Sequence, residues 1–319
     1  MKYSRIIGTG SYLPSKTLTN NDLEKIVDTT DNWIVERTGI KTRHIMANSE
    51  TTTSMAEAAA HNAIIASGID KHKIQLIVVA TSTPQTLFPN TACCLQQVLG
   101  IAGKCCPAFD VSAACSGFIY ALSIADQYIR AGQVEYALVV GADSLTKFVD
   151  WSDRTTCILF SDGAGAVVLK ADNAPGIYSA HLHADGNCSD LLYLTGNLYN
   201  NDTQRHIKME GNKVFKIAVT RLNEVVTETL KFNNLATSQI DWLIPHQANL
   251  RIITATAKKL DLPMEKVILT IEDQGNTSAA SVPLSLDIGV RDGRIQKNDL
   301  LLLEAFGAGL CWGASLIKY

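Results

Sequence analysis

The sequence predicts an α/β protein built twice over, each half a mainly parallel sheet flanked by helices, and three observations carry that expectation. Apolar runs of strand length alternate with amphipathic stretches of helix length along the 319 residues. The element order of the first half recurs in the second. Two short echoes fall at matching places, Ser112-Ala113-Ala114-Cys115 against Ser278-Ala279-Ala280-Ser281, and Gly165-Ala166-Val167-Val168-Leu169-Lys170 against Gly313-Ala314-Ser315-Leu316-Ile317-Lys318. The halves divide into residues 1–172 and 173–319. Parallel strands need right-handed crossovers and leave ligands beyond their carboxyl ends.

Taken in order, Ile6 to Tyr12 reads as a strand, and Asn20 caps a short helix through Val27. Thr30 to Arg37 forms a second short helix stopped by Gly39, and Thr52 to Ser67 an Ala-rich helix ended by Gly68. Then come the strand Leu76 to Thr81, a helix near Thr91 to Leu99, a strand running into Cys115, a helix to Arg130 and the strand Ala137 to Gly141. A hairpin-like pair, Cys157 to Phe160 and Ala164 to Lys170, closes the half. The second half reads as the helix Val214 to Leu230, the strand Trp242 to Pro245, the helix Leu250 to Leu260 and the strand Val267 to Ile271. The helix Ser278 to Val290 and the strands Leu300 to Glu304 and Gly313 to Lys318 complete it.

Composition narrows the function. With 46% hydrophobic and 18% charged residues the chain has an ample core. Its longest apolar runs, such as Leu76 to Ala80, fall far short of the ~20 residues that span a bilayer, and Met1 to Arg5 lead into a strand rather than a signal sequence. A cytoplasmic protein with no membrane association is expected. The eight cysteines include the pairs Cys93-Cys94 and Cys105-Cys106 and no Cys-x-x-Cys, which points to reduced thiols and no zinc site. A net charge of −3 argues against nucleic-acid binding.

The strand-end rule selects three places. Cys115 lies among small residues at the start of a helix, where unpaired N–H groups and the helix dipole favour thiolate. On that stretch alone, a nucleophile and a buried small hydrophobe fit equally well. His246 ends a strand at the place Thr81 holds in the first half, and Asn276 sits in a turn before the helix that echoes that of Cys115. Imidazole and carboxamide can both donate hydrogen bonds to an oxygen that gains negative charge. A satisfied polar residue at a strand end and an ordinary turn are the plainer alternatives. His181 and His183, spaced i,i+2 with Asp185 following, fit alternation along a strand better than a metal site. Phe306-Gly307-Ala308-Gly309 permits backbone N–H groups to approach a ligand, or is simply a turn between strands.

Four motifs then match a known family. Val-Ser-Ala-Ala-Cys-Ser-Gly-Phe at 111–118, Pro-His-Gln-Ala-Asn-Leu-Arg at 245–251, Gly-Asn-Thr-Ser-Ala-Ala-Ser at 275–281 and Phe-Gly-Ala-Gly at 306–309 resemble the β-ketoacyl-acyl-carrier-protein synthase III family. The likeness runs over essentially the whole chain. It implies a thiolase-like fold, two duplicated αβαβα halves in five layers, a homodimer, and no cofactor. It further implies decarboxylative Claisen condensation of acetyl-CoA with malonyl-acyl-carrier protein. Cys115 would carry the acetyl group, His246 and Asn276 would stabilise the enolate, and the N–H groups of Cys115 and Ala308 would form the oxyanion hole. Trp33, Arg37 and Arg154 match positions that hold the CoA nucleotide, and Asn212, Phe215, Ala248 and Asn249 match the pantetheine channel. Phe88 matches a position that limits the acyl pocket across the dimer. Gln247, Arg251, Lys213, Lys216, Lys258 and Lys259 are expected to dock the acidic carrier protein. Gly307-Ala308-Gly309 stands where many relatives have three glycines, and Thr155 where a glycine is common. A related condensing enzyme of secondary metabolism, with another primer or acceptor, is the alternative.

Overall fold

The computed structural model describes residues 2–103, 106–196 and 205–319. Cys105 lies outside them, and the seven described cysteines are free thiols. The first half runs β1 (Tyr3–Tyr12), β2 (Thr17–Thr19), α1 (Asn20–Leu23), α2 (Asp31–Thr38), β3 (Thr42–His44), α3 (Thr52–Ser67), β4 (Leu76–Ala80) and α4 (Thr91–Val98). It continues with β5 (Ala108–Val111), α5 (Gly117–Arg130), β6 (Tyr136–Ser144) and β7 (Asp162–Asp172). The second half has β8 (Ile177–Ala184), β9 (Leu192–Leu194), β10 (Ile207–Met209), α6 (Gly211–Phe232), β11 (Trp242–Pro245) and α7 (Leu250–Lys259). It ends with α8 (Ile271–Gln274), α9 (Ser281–Arg291), β12 (Leu300–Gly307) and β13 (Cys311–Lys318).

Strong local signals set the limits of α2 and α3. Thr51 caps α3 by accepting from the Ser54 N–H while Ser54 answers to the Thr51 N–H, and Gly68 ends the helix at φ 67°. Helix α2 starts on the Thr30 cap and stops at Gly39. Three elements differ from the sequence reading. Thr19, whose hydroxyl pairs with Asp22, caps α1, and Asn20 is the first helical residue. Residues Cys157 to Leu159 form turns and Phe160 makes a single bridge to Asn276, so they are no hairpin partner for β7, which pairs with β1 and β6. Val267 to Ile271 is not a strand: Val267 makes a single bridge to Leu243, and Ile271 opens α8.

Two sheets hold the structure. The first has the order β1-β7-β6-β4-β5, with β4 parallel to both β5 and β6; the second has β11-β12-β13-β8, with β11 parallel to β12. Matched by order, β8, β13, β12 and β11 repeat β1, β7, β6 and β4. Helices α5 and α9 lie between the sheets: Phe118, Ile119 and Leu122 pack in one buried cluster with Val282 and Leu286, with Val78 and Val139 of the first sheet and with Ile244 and Leu303 of the second. Outside the first sheet α3 brings Met55 and Ala59, and α4 Leu95, against Val140 and Val168. Outside the second, α6 and α7 bring Leu222, Val226 and Ile253 against Leu302 and Leu316. These are the five layers of the thiolase-like fold. Each buried side chain removes apolar area from water at roughly 25 cal/mol per Å².

The internal helices begin alike. A helical turn at Ala114–Ser116 precedes α5 and another at Ser278–Ala280 precedes α9, opening on Ala114 at φ 45° and Ser278 at φ 53°. Structurally, then, Ala114 matches Ser278 and Cys115 matches Ala279. The sequence echo, which sets Cys115 opposite Ser281, is two residues out of register.

Candidate active site

Strand β5 delivers the chain to the turn that carries Cys115, and β12 passes directly beside it. At Gly307 a Cβ would lie 2.6 Å from the Cys115 backbone nitrogen, so a glycine is required for the two backbones to approach. Cys115 is 8% exposed. Burial pushes its thiol up to about 12 and the Asp143 carboxylate adds to the rise, while a hydrogen bond from Ser278 and the local N–H pull the other way. The expected lowering by the helix start is therefore outweighed, and the resting sulfur is a thiol.

His246 follows β11, and its N–H donates to the Glu304 carbonyl at 2.8 Å. Its Nδ1 lies 2.5 Å from the Ser281 hydroxyl, which also accepts the Gln247 N–H at 3.3 Å, and its Nε2 is buried with no protein partner. With the Ser281 hydroxyl donating to Nδ1, the hydrogen of the neutral ring sits on Nε2, the nitrogen that no protein group meets. Burial lowers the imidazole to about 3, so it is neutral. Asn276 is fastened at both ends of its peptide: its N–H donates to Leu159 O and its carbonyl accepts the Ser161 N–H, each at 2.9 Å. Its Oδ1 accepts the Ser278 N–H at 2.9 Å, which turns Nδ2 toward the cavity.

Cys115, His246 and Asn276 line one cavity of about 390 Å³. Phe306 and Leu159 share its walls, and Trp33, Arg37, Asn212, Phe215, Ala248, Asn249 and Arg251 line it too. The guanidinium groups of Arg37 and Arg154 lie 4.5 and 4.9 Å from the centre of the Trp33 ring, and that of Arg251 lies 5.4 Å from the centre of the Phe215 ring. Asn249 caps α7 and donates to the Arg37 carbonyl at 2.9 Å, which ties α7 to α2. Behind the wall, fully buried Arg43 binds the Ile158 carbonyl at 2.5 Å and the Asn20 side chain at 2.5 Å; burial lowers it to about 10.

Other expected residues fall elsewhere. Gln247 is no docking residue: it is 1% exposed, and its amide spans Pro245 O, Ile268 O and the Thr270 and Ile271 N–H groups. Lys216, Lys258 and Lys259 are exposed, and Lys213 pairs with Glu210 at 2.6 Å. Phe88 is 85% exposed, outside the cavity. Ala308 follows Gly307 in the turn to β13 and is not among the cavity residues; Gly307 makes the contact to Cys115. Thr155 does line the cavity. His181 and His183 alternate along β8 and share Glu228 of α6, at 3.3 and 2.6 Å.

Sequence reasoning missed three buried polar groups around the site. Asp143 accepts from the hydroxyls of Thr81 and Thr83 and from the N–H groups of Ser82 and Ala279. Ser278 contacts it, and Glu304 sits on β12 with neither carboxyl oxygen partnered. A charged residue inside a strand as apolar as Tyr136–Ser144 or Leu300–Gly307 is the signal that marks such groups.

Comparison with known proteins agrees with this arrangement. Sequence models of one family match residues 109–186, described as 3-oxoacyl-(acyl-carrier-protein) synthase III, and residues 230–319, described as its C-terminal part. The β-ketoacyl-acyl-carrier-protein synthase III of Methylococcus capsulatus is 57% identical over 321 residues, covering 100% of this chain and 99% of that one. The crystal structure of the synthase III from Aquifex aeolicus superposes with a TM-score of 0.94 at 47% identity, over 99% of this chain and 100% of that one. A priming β-ketosynthase from a polyketide pathway superposes at 0.96 with 35% identity, over 99% and 96%. Identity at this level over full length shows that the chain belongs to the β-ketoacyl-acyl-carrier-protein synthase III family, the condensing acyltransferases that initiate fatty-acid synthesis.

Proposed function

We propose that the protein condenses acetyl-CoA with malonyl-acyl-carrier protein to give acetoacetyl-acyl-carrier protein, CoA and CO2. The observation that carries this is the single cavity where a thiol, a neutral imidazole and a carboxamide meet below a mouth built of Trp33, Arg37 and Asn249. The CoA nucleotide binds at Trp33, Arg37 and Arg154, where a planar base stacks and guanidinium groups meet phosphate. Its pantetheine arm passes Asn212, Phe215, Ala248 and Asn249. The Cys115 sulfur attacks the acetyl carbonyl; the C–S bond to CoA breaks and the thiol proton leaves on CoA.

In the second half-reaction the malonyl carboxylate departs as CO2. Nε2–H of His246 and Nδ2–H of Asn276 donate to the thioester oxygen as charge moves onto it, so no base needs to remove a carbon-bound proton. The carbanion attacks acetyl-Cys115, the C–S bond breaks, and the sulfur takes up a proton. The N–H of Cys115 holds the oxygen of the tetrahedral intermediate, and that of Ala308, one residue past the point where Gly307 meets the Cys115 backbone, is the second donor. No resident cofactor enters these steps. Arg251, with Lys213, Lys216, Lys258 and Lys259, offers the carrier protein a basic face. The working unit is a homodimer in the cytoplasm: β5 is an edge strand, and Leu87 and Phe88, in the segment that leads into α4, are 68% and 85% exposed, which suits Phe88 to closing the partner's acyl pocket.

Incubation with acetyl-CoA alone, followed by peptide mass spectrometry, tests the reading. An acetyl thioester on Cys115, absent from Cys115→Ser, is expected; failure of every acyl-CoA to label it overturns the proposal. The polyketide relative supports a second reading, with a longer primer, which labelling by larger acyl-CoAs in place of acetyl-CoA would establish.

A further inference from the structure

The peptide of Asn276 hangs on residues 158–161 of the other half: Leu159 O accepts its N–H, and the Ser161 N–H donates to its carbonyl. That stretch belongs to no strand or helix, and buried backbone outside regular structure must find its partners elsewhere. Arg43 of β3 is one of them. Its Nε and Nη2 both donate to the Ile158 carbonyl, at 3.0 and 2.5 Å, and its Nη1 donates to Asn20 Oδ1 at 2.5 Å. The next residue completes the hold: the His44 N–H donates to the Ser161 hydroxyl at 2.8 Å, and that hydroxyl donates to the His44 carbonyl at 3.2 Å. Both ends of the stretch that carries Asn276 are therefore fastened to adjacent residues of one strand. The chain just before Asn276 meets the same strand. The Lys41 N–H donates to Glu272 O at 2.8 Å and the Thr42 hydroxyl to Asp273 O at 2.6 Å, while a Cβ at Gly275 would lie 3.5 Å from Cγ of Arg43.

Arg43 is fully buried, and its hydrogen bonds run to uncharged oxygens, those of Ile158, Asn20 and Lys41. Its charge is answered at one remove, since Asn20 donates to Asp31 Oδ1 at 2.7 Å. Burying a guanidinium is unfavourable, and an apolar side chain would fill the same volume without that penalty. What the guanidinium adds is a rigid planar fork that holds several oxygens in fixed relation.

We infer that Arg43 is a positioning residue for the condensation: it fixes residues 158–161, and through them the backbone of Asn276, so that the carboxamide meets the thioester oxygen on which charge develops. This inference rests on the condensing reading above and deepens it. Arg43 is not among the residues that line the cavity, so it acts through Asn276 and not on the substrate. The nucleophile has a separate support, the turn after β5 held against Gly307 of β12. Loss of Arg43 therefore divides the two half-reactions. Acetylation of Cys115, which does not draw on Asn276, continues; loss of CO2 from the malonyl group, which does, is slowed.

The test uses the full chain with Arg43→Gln, which removes the fork, and Arg43→Lys, which keeps the charge and one point of donation. Rates are expressed per Cys115 that takes up acetyl from acetyl-CoA, so misfolded chain in either variant does not enter the comparison. The rate constant for acetylation is expected to stay within about twofold of the parent, while CO2 release from malonyl-acyl-carrier protein falls about 100-fold in Arg43→Gln and about tenfold in Arg43→Lys. In an Asn276→Ala background, Arg43→Gln is expected to slow CO2 release by no more than about twofold, because the group through which it acts is gone. Losses that multiply in the double variant overturn the inference. CO2 release at the parent rate in both variants overturns it as well, and so does an equal loss of acetylation and CO2 release, which would make Arg43 a merely structural residue. Amide hydrogen exchange, followed without substrate, is expected to quicken at residues 158–161 and at Asn276 in Arg43→Gln and to stay unchanged at residues 114–118. Unchanged exchange at Asn276 overturns the inference whatever the activity. A failure of acetyl-CoA to label Cys115 in the parent would instead remove the condensing reading, and the exchange result would still decide whether Arg43 places Asn276.

Discussion

The turn before α5 and the turn before α9 share a backbone path and divide the chemistry. Each enters its helix through a non-glycine residue at positive φ, Ala114 and Ser278, and each lies in the layer between the sheets. At the next position one carries the nucleophile and the other Ala279, whose carbonyl is packed so closely on β6 that a Cβ at Gly141 would lie 2.2 Å from it. The first half presents a sulfur to the cavity; the second presents hydrogen-bond donors, from a strand end and from the residue two before its turn. Duplicated backbone therefore supplies equivalent anchoring points, and the contact each point makes across the interface decides what chemistry it can hold.

Transplanting the nucleophile breaks the comparison most sharply. Cys115→Ala combined with Ala279→Cys is expected to show no acetylation and a loss of turnover of at least ~10³-fold, because the Ala279 side chain lies toward Gly117 of α5 and is not among the residues that line the cavity. An acetyl adduct on residue 279 would show that the turns are interchangeable. Gly307→Ala probes the other side of the nucleophile. The added methyl meets the Cys115 nitrogen, and turnover is expected to fall about 100-fold with a destabilisation of about 1–3 kcal/mol. Unchanged kcat would mean that β12 yields without moving Cys115.

The sheet edges differ as well. The first sheet ends in a true strand, β5, whereas its counterpart in the second half has shrunk to the bridge between Leu243 and Val267. Replacing Leu87 and Phe88 together by Asp is expected to shift sedimentation toward monomer, while Phe232→Asp, 67% exposed in the second half, leaves the assembly intact. Equal effects would erase the distinction.

The smallest effect concerns stability. Glu304 is raised to about 8 from 4.5 by burial, so between those values the folded chain keeps a proton that the unfolded chain has released. Its contribution is present below about 4.5 and is lost as pH rises toward 8; His246, lowered from 6.5 to about 3, acts in the opposite sense as pH falls. Glu304→Gln is expected to flatten the decline in unfolding free energy toward the alkaline side of that window, on the order of 1–3 kcal/mol, measured by urea unfolding at several pH values. An unchanged slope would place the carboxylate in an environment that stabilises its charge.

Much of this was legible in the chain itself, where local chemistry decides the outcome. Thr52–Ser67 is bounded by its own cap and its own glycine, and Trp242–Pro245 by its own apolar run, so both have the limits read from sequence. Cys115, His246 and Asn276 stood at strand ends and turns before any neighbour was known. What escaped depends on contacts between distant segments. Asp143 and Ser278 lie in different halves, and nothing near either of them in sequence announces the other. Gln247 looked accessible because it sits between His246 and Arg251, yet the loop at Ile268 to Ile271 encloses its amide. The same loop explains the missing strand: Val267 reaches Leu243 once, after which the chain turns to bind Gln247.

Gly307 has a consequence for inhibition and escape. A ligand that rests on the backbone of Gly307 touches a surface which the chain cannot redecorate, since any side chain there strikes the nitrogen of the nucleophile and not a flexible neighbour. Ala308, one residue along and already bearing a methyl, has more freedom to vary. Compounds anchored on the first should meet resistance through more distant changes alone, whereas those anchored on the second invite substitution at the point of contact.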